Sequence, residues 1–386
     1  MGWDRQAPEV VEAPAPIVLG RWVLVAGAAV LASVLLFLLH TAGHMPVLQA
    51  MNIWAFSGLP LLAWALAFSA RAYAYGGALS HHQFLQAEAQ DAQHAWQDWA
   101  HRYLAVQASC VLLPDRVSAS VVVQDGINLP PRTGQARRVT ELPQQPKRAP
   151  AGLLLLLSAL EPVVRVLPAR QPLRVTLLSD VEPEEYAVLR DMWHQIWATD
   201  MGLPPPESVT VSAELSYRWI DETLRTGSTA VELILVLQLQ GESAYSDGLA
   251  ALLLCPDKSA LAWELPVIGG LLRPMPLDIK RLSHELPIFL QTQTNARQAT
   301  GLLADSADWQ PLMGQAFAAG GALDASLEVE QQWVQERLCG VTGPFSHWLT
   351  AALGVEMSRH QQCPLLLLAE DESGHWISSV TTGEIA

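Results

Sequence analysis

The feature that most constrains this chain is a stretch of 49 residues, Trp22 to Ala70, without one Asp, Glu, Lys or Arg. A water-soluble core has no use for so long an uncharged run, and the run resolves into two apolar segments. Trp22–Leu39 (WVLVAGAAVLASVLLFLL) is 18 residues long, close to the length that crosses the hydrocarbon core of a bilayer. Ile53–Ala70 (IWAFSGLPLLAWALAFSA) matches it in length and carries Gly58 and Pro60, which membrane helices tolerate. The 13-residue link between them forces an antiparallel hairpin. Trp22, Trp54, Tyr73 and Tyr75 lie near the segment ends, where amphipathic rings favour the membrane interface. Arg5 and Arg21 precede the first segment, Arg71 follows the second, and the link has no Lys or Arg. The positive-inside rule then predicts a bacterial inner-membrane anchor with both termini in the cytoplasm. A cleaved signal peptide competes with this reading, but the long acidic and Pro-rich Gly2–Gly20 precedes any apolar run and disfavours it.

The expected organisation is a tail over 1–20, the hairpin over 21–71, a connecting helix over 72–107 and a cytoplasmic α/β domain over 108–386. The net charge of −15 sits almost wholly on that domain, and an acidic surface argues against nucleic acid, which needs clustered Lys and Arg. Cys110, Cys255, Cys339 and Cys363 are far apart with no CxxC pair, so neither a zinc site nor a disulfide framework is predicted. They read as thiols in a reducing compartment. Leu79–Gln107 lacks Gly and Pro and repeats its apolar residues at helical spacing. Its His81, His82, His94 and His101 have no carboxylate in register, so no metal is expected there, and no cofactor elsewhere. Residues 128–150 are rich in Pro and carry Arg132, Arg137, Arg138, Lys147 and Arg148. They read as a solvated loop or, next to a membrane, as a patch for anionic headgroups. Beyond Ala151 helical and strand patterns alternate, among them the helix Pro183–Thr199 and the apolar strands Val231–Leu239 (VELILVLQL) and Gly248–Cys255 (GLAALLLC). Such alternation predicts a buried mixed sheet with helices on both faces.

Three stretches, in this order, resemble the thiolase-like fold of β-ketoacyl synthases. Leu215–Gln238 (LSYRWIDETLRTGSTAVELILVLQ) is similar to the helix behind the catalytic cysteine and the strand after it. Ser246–Cys255 (SDGLAALLLC) is similar to a later glycine-led strand, and Val341–Met357 (VTGPFSHWLTAALGVEM) to the helix with the GHxxGAAG pattern. The resemblance implies a layered α/β/α domain over roughly Arg174 to the C-terminus. It also implies a cysteine at a helix N-terminus and two histidines. The cysteine position falls near Thr210–Ala213 (TVSA), which contains no cysteine and offers Ser212 as a substitute nucleophile. The first histidine position falls in Phe289–Thr294 (FLQTQT), which puts Gln293 there, and only the second is filled, by His347. Neither Cys255 nor Cys339 is placed to replace the nucleophile. One histidine without a thiol cannot hold an acyl-enzyme.

These departures favour a non-catalytic adaptor or scaffold that binds a protein partner. In general plan the chain resembles accessory proteins encoded beside bacterial type VI secretion effectors, which implies an effector or a spike component as that partner. The family plan also implies a homodimer, with Trp309 and Trp333 available as interface anchors or as core residues. The competing reading is a membrane-associated protein that binds or transfers acyl chains by other chemistry, with Asp305, Asp308, Glu356, His347 and Ser212 as residues to suspect. No GxSxG, HExxH or Gly-rich phosphate loop supports an enzyme of another class. A membrane-assembly role for the hairpin itself lacks the intramembrane acid or base that transport requires.

Overall fold

A computed structural model describes residues 2–3, 12–42, 52–125, 128–168 and 170–383, in two compact units, Met1–Ala95 and Trp96–Ala386. The first unit holds α1 (Leu19–Thr41) and most of α2 (Ile53–His101), both long and apolar enough to cross a membrane. They pack as the predicted antiparallel hairpin. Trp22, early in α1, meets Phe68 at 5.3 Å and accepts the indole N–H of Trp64 on its carbonyl at 3.1 Å. Phe37, late in α1, meets Trp54 at the start of α2. Arg5 and residues 43–51 of the link lie outside the described residues. The separate connecting helix is corrected: α2 runs unbroken for 49 residues, through Pro60, and ends at His101. The second unit begins at Trp96, ahead of the expected 108, and its first strand starts at Tyr103. Leu104, Ala105 and Val106 belong to the first strand and are fully buried between two neighbours, which draws them out of the helix.

In the second unit, the first half comprises β1 (Tyr103–Leu112), α3 (Ala119–Asp125), α4 (Arg148–Val164), β2 (Leu173–Ser179), α5 (Tyr186–Ile196), β3 (Ser208–Ser212), α6 (Arg218–Thr226), β4 (Val231–Gln238), β5 (Gly248–Pro256) and α7 (Asp257–Ala262). The second comprises β6 (Gly269–Leu272), β7 (Met275–Leu277), α8 (Leu282–Thr292), β8 (Gly301–Ala304), α9 (Gln310–Gly321), β9 (Gln332–Val334), α10 (Gln335–Cys339), α11 (Ser346–Gln361), β10 (Leu365–Asp371) and β11 (Gly374–Thr382). The strands form one sheet ordered β3-β2-β4-β5-β1-β6-β11-β10-β8-β9, with β7 on β11. This order is a duplication. Counted within each half, with β7 left out of the count, it reads third, second, fourth, fifth, first, and then the same sequence in reverse. In both halves the second strand runs parallel to the third and fourth, and the fifth runs antiparallel to the fourth and first. The halves join where β1 and β6 pair antiparallel, from Tyr103 opposite Leu272 to Val106 opposite Gly269.

The alternation of side chains along the strands divides the core in two. Leu233, Leu235 and Leu237 of β4 face one cluster with Leu156 and Leu160 of α4 and Trp193 of α5. Ile234 and Val236 face the other, with Ile220 of α6 and Leu349 and Leu353 of α11. A strand buried on both faces reads as the unbroken apolar run seen in the sequence. Helix α11 lies at the centre, against β1 and β5 of one half and β6, β8, β10 and β11 of the other. Twelve of its 16 residues are buried, so it has no polar face to present. Small residues let it approach the sheet: a Cβ on Gly354 would stand 2.7 Å from a methyl of Leu367.

The basic stretch is a largely exposed loop up to Lys147, as read, but its arginines are held by carboxylates. Arg132 and Arg137 reach Asp115 at 2.7 and 2.8 Å, and Arg138 reaches Asp247 at 2.7 Å. Arg148 pairs with the same Asp247, whose side chain is fully buried. Val139 and Leu142 are buried as well. The carboxylates bury Arg132 and Arg148 and leave Arg137 and Arg138 partly exposed. Of the two readings of Trp309 and Trp333, the core one holds, since both are buried.

Candidate functional site

The two central helices, α6 and its duplicate α11, start side by side. Helix α6 is nine residues long where α11 has 16, and it is followed by Gly227 in the left-handed conformation at φ +63°. Thr210–Ala213, the predicted nucleophile stretch, is not helical. Thr210, Val211 and Ser212 pair with β2 at the sheet edge. Ser212 spends its hydroxyl locally, donating to the Glu214 carbonyl at 2.7 Å and accepting the Glu214 N–H at 3.2 Å.

The N-terminus of α6 is occupied by an anion from the other half. Asp371, at the end of β10, accepts the Tyr217 N–H and the Ser216 hydroxyl on Oδ2, both at 2.8 Å. Ser373 donates its N–H and its hydroxyl to Oδ1 at 2.8 and 2.5 Å. Burial pulls the Asp371 pKa upward, but these bonds, led by Ser373, more than offset it and leave the carboxyl below its ordinary range. A helix N-terminus favours a negative charge, and here Asp371 supplies it.

Tyr217 is fully buried just inside this cap. Its ring meets His347 edge-on at 5.8 Å and Trp348 at 5.7 Å, and Trp219 meets Trp348 at 5.9 Å. The Leu215 carbonyl ties the loop to α11, accepting His347 Nε2–H at 2.9 Å and the Trp348 indole N–H at 2.7 Å. The remaining ring nitrogen of His347, Nδ1, is buried without a hydrogen-bond partner. Burial pushes the His347 pKa below its ordinary value, against the Leu215 hydrogen bond that raises it. The imidazole is therefore held neutral.

Beside His347, Asp305 follows β8 and is fully buried. Its Oδ1 accepts the Ser306 N–H at 2.7 Å and the Trp309 indole at 2.9 Å; its Oδ2 accepts the Glu370 N–H at 2.7 Å and the Ser346 hydroxyl at 3.2 Å. Burial lifts its pKa to about 6 against all four bonds. Sequence reasoning placed Gln293 at the first histidine position, but its amide has other work. It donates to the carbonyls of Ala100 and Arg273 at 3.1 and 2.6 Å and accepts the Ser379 hydroxyl at 2.9 Å, which ties α2, β6 and β11 together. The residue that stands by the start of α11 is Asp305, through Ser346.

The other suspected residues do not join this group. Asp308 is exposed, and Glu356 lies along α11 toward Arg359 and Ser109. Burial pushes the thiols of Cys110 and Cys255 up to about 11 and that of Cys339 to about 12, the opposite of an activated nucleophile. Of the four helix histidines, His101 has a structural role, accepting the Thr294 N–H at 3.0 Å. Tyr217 and Asp371 were missed by the sequence reading.

No protein-family model matches the chain, and no curated protein matches it in sequence. Solved structures do. A type II polyketide ketosynthase, in complex with its acyl-carrier protein, is similar over 73% of this chain and 99% of its own, at 10% identity and a TM-score of 0.50. An oxazolomycin ketosynthase domain from Streptomyces albus matches at 13% identity over 73% and 96% with a TM-score of 0.48. The 3-oxoacyl-(acyl carrier protein) synthase III of Pseudomonas aeruginosa matches at 13% over 73% and 98% with a TM-score of 0.41. The second unit thus has the layered thiolase-like fold, preceded in the chain by the pair of apolar helices.

Proposed function

We propose that this chain is a membrane-tethered protein of thiolase-like fold that works by binding a partner and does not form an acyl-enzyme. The observation that carries the reading is the N-terminus of α6. There the Asp371 carboxylate takes the N–H of Tyr217, the residue just before the helix, and the Tyr217 ring packs on His347 and Trp348. A thiolate at that point would need the same helix end and would meet a carboxylate of like charge. The anchor is read as spanning the bacterial inner membrane, with the second unit in the cytoplasm.

The ketosynthase likeness favours an acyl-related partner, such as a protein that carries or elongates acyl chains. Adaptation of a type VI secretion effector is the narrower reading and rests on general plan alone. The open edge strand β3 is where a second copy would pair. Incubating the full chain in detergent with acyl-coenzyme A and with acyl-loaded carrier protein tests the central claim by intact mass. The expected spectrum shows no acyl adduct, with stable association of the carrier protein in a parallel pull-down. An adduct or thioester turnover abolished by His347→Ala would overturn the non-catalytic reading. Retention of a secretion effector in place of the carrier protein would overturn the acyl-related one.

A further inference from the structure

The last turn of α2 is held by side chains and backbone from the second half of the sheet. A helix end leaves its last carbonyls without partners inside the helix. Here Arg273 Nε–H donates to the Trp99 carbonyl at 3.0 Å, and the Gln293 amide donates to the Ala100 carbonyl at 3.1 Å. The third tie is of another kind. His101, the last residue of α2, accepts the backbone N–H of Thr294 on Nε2 at 3.0 Å. Thr294 opens the short 3₁₀ turn Thr294–Gln298, which joins α8 to β8.

This geometry fixes the protonation state of the ring. A backbone N–H only donates, so the bond exists only while Nε2 carries a lone pair and the ring keeps its one hydrogen on Nδ1. The Thr294 hydroxyl also lies 3.1 Å from Nε2, but a hydroxyl can reverse its role when the ring is protonated and the amide cannot. The cations of the neighbouring segments are engaged elsewhere. Arg102 pairs with Asp257, Arg273 pairs with Asp221, and Arg297 of the turn donates to the Leu290 carbonyl at 2.7 Å. On α8 the titratable groups, His284 and Glu285, stand about two turns back from Thr292. Burial pulls the His101 pKa below its ordinary value, and Asp98, on α2 itself, opposes it with the smaller effect. The ring is half-buried, so solvent protons reach it.

We propose that His101 is a proton-operated latch: a proton on Nε2 expels the Thr294 amide and frees the Thr294–Gln298 turn from the end of α2. The other two ties hold, because a glutamine amide does not titrate and Arg273, though burial lowers its pKa to about 10, stays charged near neutral pH. The helix end therefore keeps its place while the turn opens. Linkage sets the size of the effect. The folded pKa of His101 lies below the unfolded one, so the latch is fully closed above about pH 6.5 and loosens as the pH falls. With the ring free to titrate at about 6.5 in the open turn and barred from the proton in the closed one, opening becomes about tenfold more favourable between pH 7.5 and 5.5 at most.

Hydrogen–deuterium exchange of the full chain in detergent tests the inference, read by mass spectrometry on peptides covering the turn and corrected for the intrinsic exchange rate at each pH. Protection over the turn is expected to fall about threefold to tenfold between pH 7.5 and 5.5, while peptides of β4 and β5 keep theirs. His101→Gln places an amide oxygen where Nε2 stands and accepts an N–H at any pH, so it should abolish the fall. His101→Phe has no acceptor and should show low protection at both pH values. Melting temperatures check that both variants are folded. Equal protection at the two pH values in the unaltered chain, or the same fall in His101→Gln, would overturn the proposal.

Discussion

Tyr217→Phe makes the packing at the start of α6 testable. Tyr217 is fully buried, yet its hydroxyl and that of Ser378 nearby each lack a well-formed hydrogen bond. Burial pushes the phenol well above its ordinary pKa, and Ser378 relieves only part of that. A buried polar group without a partner costs about 1–3 kcal/mol relative to the hydrated unfolded chain. Phenylalanine removes that cost and keeps the edge-on ring contacts with His347 and Trp348. It leaves a hydroxyl-sized void, which takes back up to about 1 kcal/mol. The net expectation is a gain of about 0.5–1.5 kcal/mol, or about 1–4 °C in melting temperature. Thermal unfolding of the full chain in detergent, followed by far-UV circular dichroism, reads this out. A loss of 1 kcal/mol or more would show that the hydroxyl is bonded after all and would refute the reasoning. Ser378→Ala identifies the partner in that case, because its effect and that of Tyr217→Phe would then fail to add.

Two further expectations follow from buried charge. Asp247 takes Arg138, Arg148 and the Val139 N–H on one buried carboxylate, so Asp247→Ala leaves Arg148 buried with no counterion. We expect a loss of about 3–5 kcal/mol, seen as a lower urea midpoint, and new tryptic cleavage at Arg137 and Arg138 as the 128–150 segment comes loose. His347 is a base whose folded pKa lies below its unfolded value of about 6.5, because burial disfavours the charged ring. The stability it contributes is therefore complete above pH 6.5 and is lost as the pH falls below it, since the unfolded chain then binds the proton more tightly. His347→Gln should flatten the fall in melting temperature between pH 6.5 and 5; an unchanged slope would mean the imidazole titrates freely in the folded protein.

How much of this was legible in the sequence depends on how far apart the partners lie. The hairpin was readable because charge depletion over 49 residues is a local signal, and β4 and β5 because strands buried on both faces are continuous apolar runs. His347 was readable from the small-residue pattern that lets α11 sit in the centre. The duplication was not, because its halves share layer and register but hardly a residue: SHWLTAALG in α11 answers to YRWIDETLR around α6. The pairing of Arg138 and Arg148 was not legible because the carboxylate that holds them lies about a hundred residues away, beyond any window in which charge is read. Asp371 is the sharper case. In sequence it belongs to a polar hairpin turn, AEDESG, with nothing to mark it. In the fold it caps a helix 154 residues earlier. A helix N-terminus attracts an anion whatever its source. Where the resemblance implies a thiolate, this chain supplies a carboxylate from the opposite half, with Tyr217 packed behind it. The same contact then serves as a clamp between the two halves.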